Sequence, residues 1–306
     1  MLYTLLEIRD STLCKNVYIE SSFFLSCCPP PKSFSRIVRC ATMNGILLKR
    51  TGRMKHWFAP EVTNPFHIFS ASHFSMISLY FIVLLFFFIA YKPLRQQKRL
   101  YTFTKWTLFT LLLVCEVGYT TWALSTNTWN MREHAPLHLC GIAGIIGMIA
   151  ILSNSKKLMQ ILYFIGIIPA FIAILTPELI YGFPHFRFWK FFVHHMTISL
   201  TGVFLILTSQ VSITFRSMVE TYAYLNVYAV FAFFLNMTIG ANYLYLSDTP
   251  TVNSPLDLLG SGVWYYINLE LLCIGVFLGM YLLYKMVERL FSSNSPTYSH
   301  GKKTSS

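Results

Sequence analysis

The sequence predicts an all-α, polytopic membrane helix bundle with about seven transmembrane helices. Three observations predict it: 55% of the 306 residues are apolar, only 12% are charged, and long apolar runs follow one another along the chain. A soluble domain carries about twice that charged fraction. A helix of about 20 apolar residues crosses ~30 Å of hydrocarbon, and helices are favoured because backbone groups in lipid must be paired within their own segment.

Seven apolar runs mark the expected spans, and the third is the shortest. They cover about 74–91, 104–125, 137–153, 157–176, 189–209, 219–239 and 264–285. Neither an internal repeat nor a separate soluble domain is evident, so we expect the function to reside among the helices.

The two ends of the chain differ from this membrane domain, which we place at 54–290. Residues 1–53 hold four of the seven cysteines and no span, and we interpret them as a disordered or mis-annotated extension with Met54 as the true start. The segment 57–69 is aromatic-rich and is expected to lie at the membrane interface before the first span. The Ser-rich residues 291–306 are expected to form a disordered cytoplasmic tail.

The net charge of +12 follows the membrane topology rather than indicating nucleic acid. The cations concentrate after odd-numbered spans, and among them are Lys92, Arg95, Lys98, Arg99, Lys156, Lys157, Arg216, Lys285 and Arg289. The positive-inside rule places these loops in the cytoplasm. The amino terminus is then outside and the carboxyl terminus is in the cytoplasm.

Chemically capable side chains gather at the opposite, extracytoplasmic end. Pro136 before an apolar run indicates a helix start, which places Cys140 in the first turn, where the helix dipole favours a thiolate. The alternative is that Cys140 is simply a small buried apolar residue, as most membrane cysteines are. His134 and His138 have a spacing that could suit a metal, but Pro136 interrupts it and no carboxylate completes a site. We therefore predict neither a metal nor a cofactor.

A second polar group opens the fifth span. Arg187, among aromatic residues, could bind a lipid phosphate or extend to the interface as an amphipathic side chain. His194 and His195 lie about one turn into the span, so at least one should face the bundle interior. Such an imidazole could act as a general base or form a hydrogen bond between helices.

Other polar residues have two open interpretations. Glu116 in span two is expected to be neutral or paired with a histidine or an asparagine, either as part of a proton relay or as a structural contact. Glu270 in span seven has the same alternatives. Asn242 and Tyr243 lie at the outer end of span six, where they could donate hydrogen bonds to a substrate carbonyl.

At these residues the sequence resembles the bacterial YwaF-type integral membrane proteins. The matching motifs are Pro136-Leu-His-Leu-Cys140, Leu175-Thr-Pro-Glu-Leu-Ile-Tyr-Gly-Phe-Pro-His-Phe-Arg-Phe188 with Phe191-Phe-Val-His-His195, and Gly240-Ala-Asn-Tyr-Leu-Tyr245. The resemblance covers about 55–287 and implies a bacterial plasma membrane location. These proteins are distantly similar to the eukaryotic transmembrane protein 164 family, which is described as lipid acyltransferases that use a Cys and a His.

The resemblance implies a lipid acyltransferase or a thioesterase-like lipid hydrolase at the outer leaflet. Cys140 would be the nucleophile and His195 the general base, while Asn242 or the backbone N–H groups of 138–140 would hold the oxyanion. His138, Arg187, His194, Tyr243 and Glu116 are expected to contact the substrate. The partners would be membrane lipids, with a phospholipid or an acyl chain as substrate.

Two non-enzymatic alternatives remain open at this point. A transporter or permease would use Glu116, Glu270 and the histidines to bind a cation or relay protons, and a sensor would use the histidines to report external pH. A nucleotide-driven pump is not indicated, because the chain contains no Gly-rich phosphate loop. The sequence predicts no oligomeric state.

Overall fold

The computed structural model describes residues 56–250 and 255–293. The chain divides into two units, Met1–Met54 and Lys55–Ser306, and the described residues belong to the second. The expected extension at 1–53 and most of the expected tail at 291–306 lie outside the described residues.

Eight α-helices make up the described part of the chain, which confirms the predicted all-α membrane bundle. They are α1 (Ala71–Ile89), α2 (Tyr91–Gln96), α3 (Lys98–Ser125), α4 (Leu139–Ser153), α5 (Lys156–Leu175), α6 (Phe186–Thr208), α7 (Phe215–Ile239) and α8 (Val263–Ser293). Two short 3-10 helices, Tyr243–Tyr245 and Pro255–Leu259, lie between α7 and α8. Of the described helices, six are long and apolar enough to cross a membrane, and α4 is a shorter apolar helix.

Local capping explains several helix boundaries. The Ser70 and Ser155 hydroxyls accept backbone N–H groups at the starts of α1 and α5, and Thr214 begins α7 with a capping box. Asn154 and Gly240 end α4 and α7 in the left-handed conformation, with φ of 51° and 66°. These caps define where the helices begin and end.

Helix α6 is the centre of the bundle. Of the residues in its apolar 18-residue stretch, 72% are buried, compared with 11% in the corresponding stretches of α7 and α8. It packs against α3, α4 and α5, with smaller contacts to α1 and α2. Because α6 is enclosed by protein, its polar side chains face other helices instead of lipid; Ser199, for example, bonds the Tyr80 hydroxyl at 2.8 Å. The apolar faces of α7 and α8 remain exposed, as expected for helices in contact with lipid.

We call the end of the bundle that holds the first turns of α4 and α6 the site end. The segment 58–66, which is mostly irregular, crosses it before α1 begins. Trp122 Nε1 donates to the Phe58 carbonyl at 2.9 Å, and the Tyr181 hydroxyl donates to the Pro60 carbonyl at 2.7 Å. The segment is therefore bonded to α3 and to the loop before α6.

Candidate functional site

Cys140 is the second residue of α4, in the first turn as predicted. The helix starts at Leu139 with His138 as its extended N-cap, so Pro136 precedes the helix instead of occupying its first turn. The first N–H groups of a helix have no partner within it. Cys140 is a half-buried residue, and its thiol lies beside these donors and the positive end of the helix dipole.

A close backbone contact holds this start in place. A Cβ atom on Gly141 would lie 2.6 Å from the Pro136 carbonyl oxygen and 2.8 Å from Pro136 Cα. Only glycine lets the preceding loop approach the helix this closely. From α7, the Tyr228 hydroxyl donates to the Leu137 carbonyl at 2.6 Å and holds the same loop from the other side.

His138 lies against a wall of tyrosines. Its ring is 5.1 Å from the Tyr243 ring and 5.4 Å from the Tyr245 ring, centroid to centroid. Tyr243 is fully buried; its N–H donates to Asn236 Oδ1 at 2.9 Å, and its hydroxyl donates to the Met131 carbonyl. These contacts indicate that Tyr243 supports the position of His138.

Asn242 is engaged within its own loop. Its side-chain Nδ2 donates to the Asp248 carbonyl at 2.8 Å, and its Oδ1 accepts the N–H groups of Ser247 and Asp248. The structure therefore gives Asn242 a loop-stabilising role. Of the two oxyanion donors expected from the sequence, the backbone N–H groups at the start of α4 are the ones left without helical partners.

The two histidines of α6 are both buried but differ in their surroundings. His195 is 6% exposed, and its Nδ1 lies 2.8 Å from the Phe191 carbonyl. Because a carbonyl only accepts, Nδ1 carries the proton and Nε2 keeps its lone pair. The His195 ring also packs on Phe191 with centroids 4.2 Å apart.

His194 is 2% exposed and lies directly against α4. A Cβ atom on Gly144 would be 2.9 Å from His194 Nε2, so the missing side chain makes room for the imidazole. The Glu116 carboxylate on α3 is 3.6 Å from the same nitrogen, and a histidine partner was one of the two expected for Glu116. Cys140 and Gly144 are four residues apart, hence on one face of α4. Neither imidazole of α6 is hydrogen-bonded to the thiol in the described part of the chain.

Two cations of α6, Arg187 and Lys190, lie over aromatic rings at the site end. The Arg187 guanidinium is 4.7, 5.1 and 5.3 Å from the ring centroids of Tyr119, Trp122 and Tyr181, and Lys190 Nζ is 4.4 Å from that of Tyr119. Among the described residues, no carboxylate is within ion-pair distance of either cation. Their positive charge is thus available to an anionic ligand.

Lys190 is a further residue of the site, and it was not among the residues expected from the sequence. Lys190 and Glu116 both lie close enough to Cys140 to interact electrostatically with the thiol. The signal was present in the spacing, because Lys190 and His194 are four residues apart and share one face of α6.

Glu270 lies apart from these groups. Its carboxylate accepts a hydrogen bond from the Tyr222 hydroxyl at 2.5 Å, between α8 and α7. This contact matches the structural alternative, a hydrogen bond between helices. Within the described ranges, no three His, Cys, Asp or Glu side chains gather as metal ligands.

The contacts of His185 lead us to expect that the stability of the site end depends on pH. Its Nδ1 accepts the Arg187 N–H at 3.1 Å, so Nε2 donates to the Ala59 carbonyl at 2.9 Å. Burial lowers the pKa of His185 below its ordinary value, with the Arg187 charge adding to the effect. The neutral ring therefore contributes its full stability above about pH 6.5, and this contribution falls as the pH drops below that value.

We expect the midpoint temperature of thermal unfolding in detergent to decrease as the pH is lowered from 7.5 to 5. His134, whose pKa is also lowered by burial, contributes in the same direction. The variant His185→Gln should have a lower midpoint at pH 7.5 and a flatter pH profile. A profile equally steep in the variant would show that His185 is not the titrating group.

The fold and the site define a polytopic membrane protein with a cysteine, two histidines and two cations at one end of its bundle. The family model described as the TMEM164 family matches residues 68–281, more than half of the chain and all of the site residues named above. The protein belongs to this family. Searches of the curated proteins and of the solved structures found no match.

Proposed function

We propose that the protein is a lipid acyltransferase that carries the acyl chain on Cys140. The observation that supports this most is the position of the thiol, which lies in the first turn of α4, on the helix face that also carries Gly144 and the His194 contact. A nucleophile, a base on a neighbouring helix and unpaired N–H donors are the components that acyl transfer needs. Membership of the TMEM164 family supports the same assignment.

The reaction proceeds in two balanced steps. The Cys140 sulfur attacks the carbonyl carbon of a lipid ester, and a histidine of α6 takes the thiol proton. The C–O bond breaks, the proton passes to the leaving oxygen, and a lysolipid departs. The hydroxyl of a second lysolipid then attacks the thioester, gives its proton to the imidazole, and releases the thiol; water in its place yields a fatty acid.

The length of α4 supports access to lipid esters. Fifteen residues extend for about 22 Å, less than the ~30 Å hydrocarbon core. Asn154 and Ser155 join α4 to α5 at one membrane surface. The other end of α4, which carries Cys140, therefore does not reach the opposite membrane surface. The thiol is then at the depth of the acyl chains and their ester groups, not in open water.

The charge distribution and the resemblance support one membrane location and one orientation. We propose that the site end faces the extracytoplasmic side of a bacterial plasma membrane, as in YwaF-type proteins, because the cation-rich loops are at the other end. A tag placed after residue 293 is then expected to be cytoplasmic, and labelling of that tag in intact cells would contradict this orientation.

Transfer of a labelled acyl chain from a diacyl phospholipid to a lysophospholipid, in vesicles containing the purified protein, tests the function. We expect labelled diacyl product, or labelled fatty acid if water is the acceptor. No product from any phospholipid class, together with an ion flux that depends on Glu116, would instead support the transporter alternative.

Arg187 is expected to recognise the lipid phosphate. Arg187→Gln should raise the KM for a phospholipid donor by about tenfold or more, because guanidinium binds a phosphate with two parallel hydrogen bonds. The KM for an uncharged activated ester should be unchanged. Arg216→Gln, at an exposed cation that bonds Glu220, is the matched control, and equal KM values for Arg187→Gln and this control would exclude the phosphate contact.

A further inference from the structure

Two buried polar atoms on α3 and α6 have no hydrogen-bond partner in the described part of the chain. They are Glu116 Oε2 and His194 Nδ1, each with almost no accessible surface. Leaving a buried acceptor without a hydrogen bond destabilises the folded state. Such atoms in a native protein require an explanation, and functional sites are one place where they occur.

Glu116 and His194 are placed to act on one another. Oε2 is 3.6 Å from His194 Nε2, so a shift of less than 1 Å would produce a hydrogen bond of ordinary length. The carboxylate is 19% exposed and the imidazole 2%, so a bond between them would form largely out of water. Bonds of this kind to an ionised acceptor are about twice as strong as neutral ones.

Gly144 brings the same imidazole to the face of α4 that carries Cys140. Any side chain on Gly144 would collide with Nε2, which lies 2.9 Å from the position of a Cβ atom. Cys140 is one turn nearer the helix start on that face. His194 Nε2 therefore lies next to both the carboxylate of α3 and the face of α4 that carries Cys140.

His195, the base expected from the family resemblance, has a different set of contacts. Its Nδ1 proton is donated to the Phe191 carbonyl within the same helix. No described carboxylate lies within ion-pair distance of its ring. A positive charge formed on His195 would lack the direct anionic partner that His194 has in Glu116.

We propose that Glu116 is a positioning residue that acts through His194, so that Cys140, His194 and Glu116 form the triad of the acyl transfer. This inference rests on the proposed function. Nε2, the nitrogen nearest to both α4 and the carboxylate, is the base, and the carboxylate lies beside the positive charge that forms on it. His194 takes the thiol proton as the C–S bond forms, the carboxylate stabilises the imidazolium, and the proton leaves with the alkoxide when the C–O bond breaks.

The test compares single-turnover acylation of Cys140 by a saturating activated acyl ester in full-length variants. Glu116→Gln and His194→Gln should each lower the acylation rate constant by about 10²-fold or more, with the half-saturating ester concentration unchanged. Glu116→Asp, which keeps the carboxylate, should recover part of the rate, whereas a purely structural role would not produce rescue in the rate constant alone. Glu270→Gln removes an intramembrane carboxylate from the Tyr222 contact and is the matched control.

Any of three results would overturn the inference. The first is that Glu116→Gln is acylated as fast as Glu270→Gln, and the second is that His195→Gln loses more of the acylation rate than His194→Gln. The third is that Glu116→Gln loses rate and Glu116→Asp recovers none of it. Failure of the proposed function is distinct, since wild-type Cys140 would then form no acyl adduct at all. In that case the alkylation rate of Cys140 by iodoacetamide still tests the triad: slower alkylation in Glu116→Gln and His194→Gln than in Glu270→Gln supports it, and equal rates overturn it.

Discussion

Replacement of Cys140 with Ala is expected to abolish acyl transfer, with a loss of more than about 10³-fold in turnover. The reason is that the thiol is the atom that carries the acyl chain, and the binding groups alone cannot replace a covalent intermediate. Cys140→Ser should also lose nearly all activity, because a hydroxyl is much harder to deprotonate than a thiol. Transfer of labelled acyl chains between phospholipids in vesicles measures the effect.

The chain offers matched controls for this substitution. Cys115 on α3 and Cys273 on α8 are the other free cysteines in the described residues. Cys273→Ala removes a partly buried thiol from a helix outside the site and should leave turnover within about twofold of wild type, since such isolated substitutions rarely act at a distance. Equal turnover in Cys140→Ala and Cys273→Ala would remove Cys140 from the mechanism.

Gly141→Ala is expected to be among the most destabilising single substitutions at the site end. The new methyl group would lie within 2.8 Å of three backbone atoms of Pro136, and a backbone cannot move aside as a flexible side chain can. Overpacking of this kind costs about 1–3 kcal/mol. The start of α4 would also shift, and with it the N–H groups around Cys140. Thermal unfolding in detergent and the Cys140 acylation rate should therefore fall together.

Gly275→Ala is the control for this prediction. Apart from the neighbouring backbone of its own helix, a Cβ atom at Gly275 on α8 would have no heavy atom within 4 Å. The substitution therefore adds a methyl group in open space and replaces glycine within a helix. Its thermal midpoint should equal or exceed that of wild type. An unchanged midpoint in Gly141→Ala would show that the Pro136 loop can move away at little cost.

Most of the helices could be predicted from sequence because lipid imposes one dominant requirement. Apolar runs of sufficient length, bounded by polar loops, located all seven apolar segments, and the third was expected to be the shortest. The boundaries moved where local chemistry decided them. Helix α4 begins at Leu139, three residues after Pro136, because the chain from Ala135 to Leu137 forms a turn that packs against Gly141.

The contacts across the bundle could be anticipated only in part. A histidine or an asparagine was expected beside Glu116, but the choice of His194 depends on how α3, α4 and α6 pack. The role of Gly144 depends on the same packing, because a glycine in an apolar helix is open to several interpretations until the neighbouring imidazole is known. Hydrophobic periodicity places a residue on a helix face but does not say which helix that face meets.

Side chains near loops were the hardest to assign. Asn242 was expected to contact a substrate, yet its amide is bonded within the 242–248 loop. His185 belongs to a motif that carried the family resemblance, and its contacts are those of an N-cap held by the Ala59 carbonyl. Both depend on chain segments that meet only after folding, for which the sequence has no short-range pattern.

A mass measurement of the trapped intermediate tests most directly whether Cys140 carries the acyl chain. The wild-type protein is incubated briefly with a phospholipid donor in the absence of acceptor, quenched in acid and digested. We expect a peptide containing Cys140 with the mass of one acyl chain added, removed by neutral hydroxylamine as a thioester is, and missing in Cys140→Ala. An active enzyme with no such adduct on Cys140, or with the acyl chain on another residue, would contradict the account.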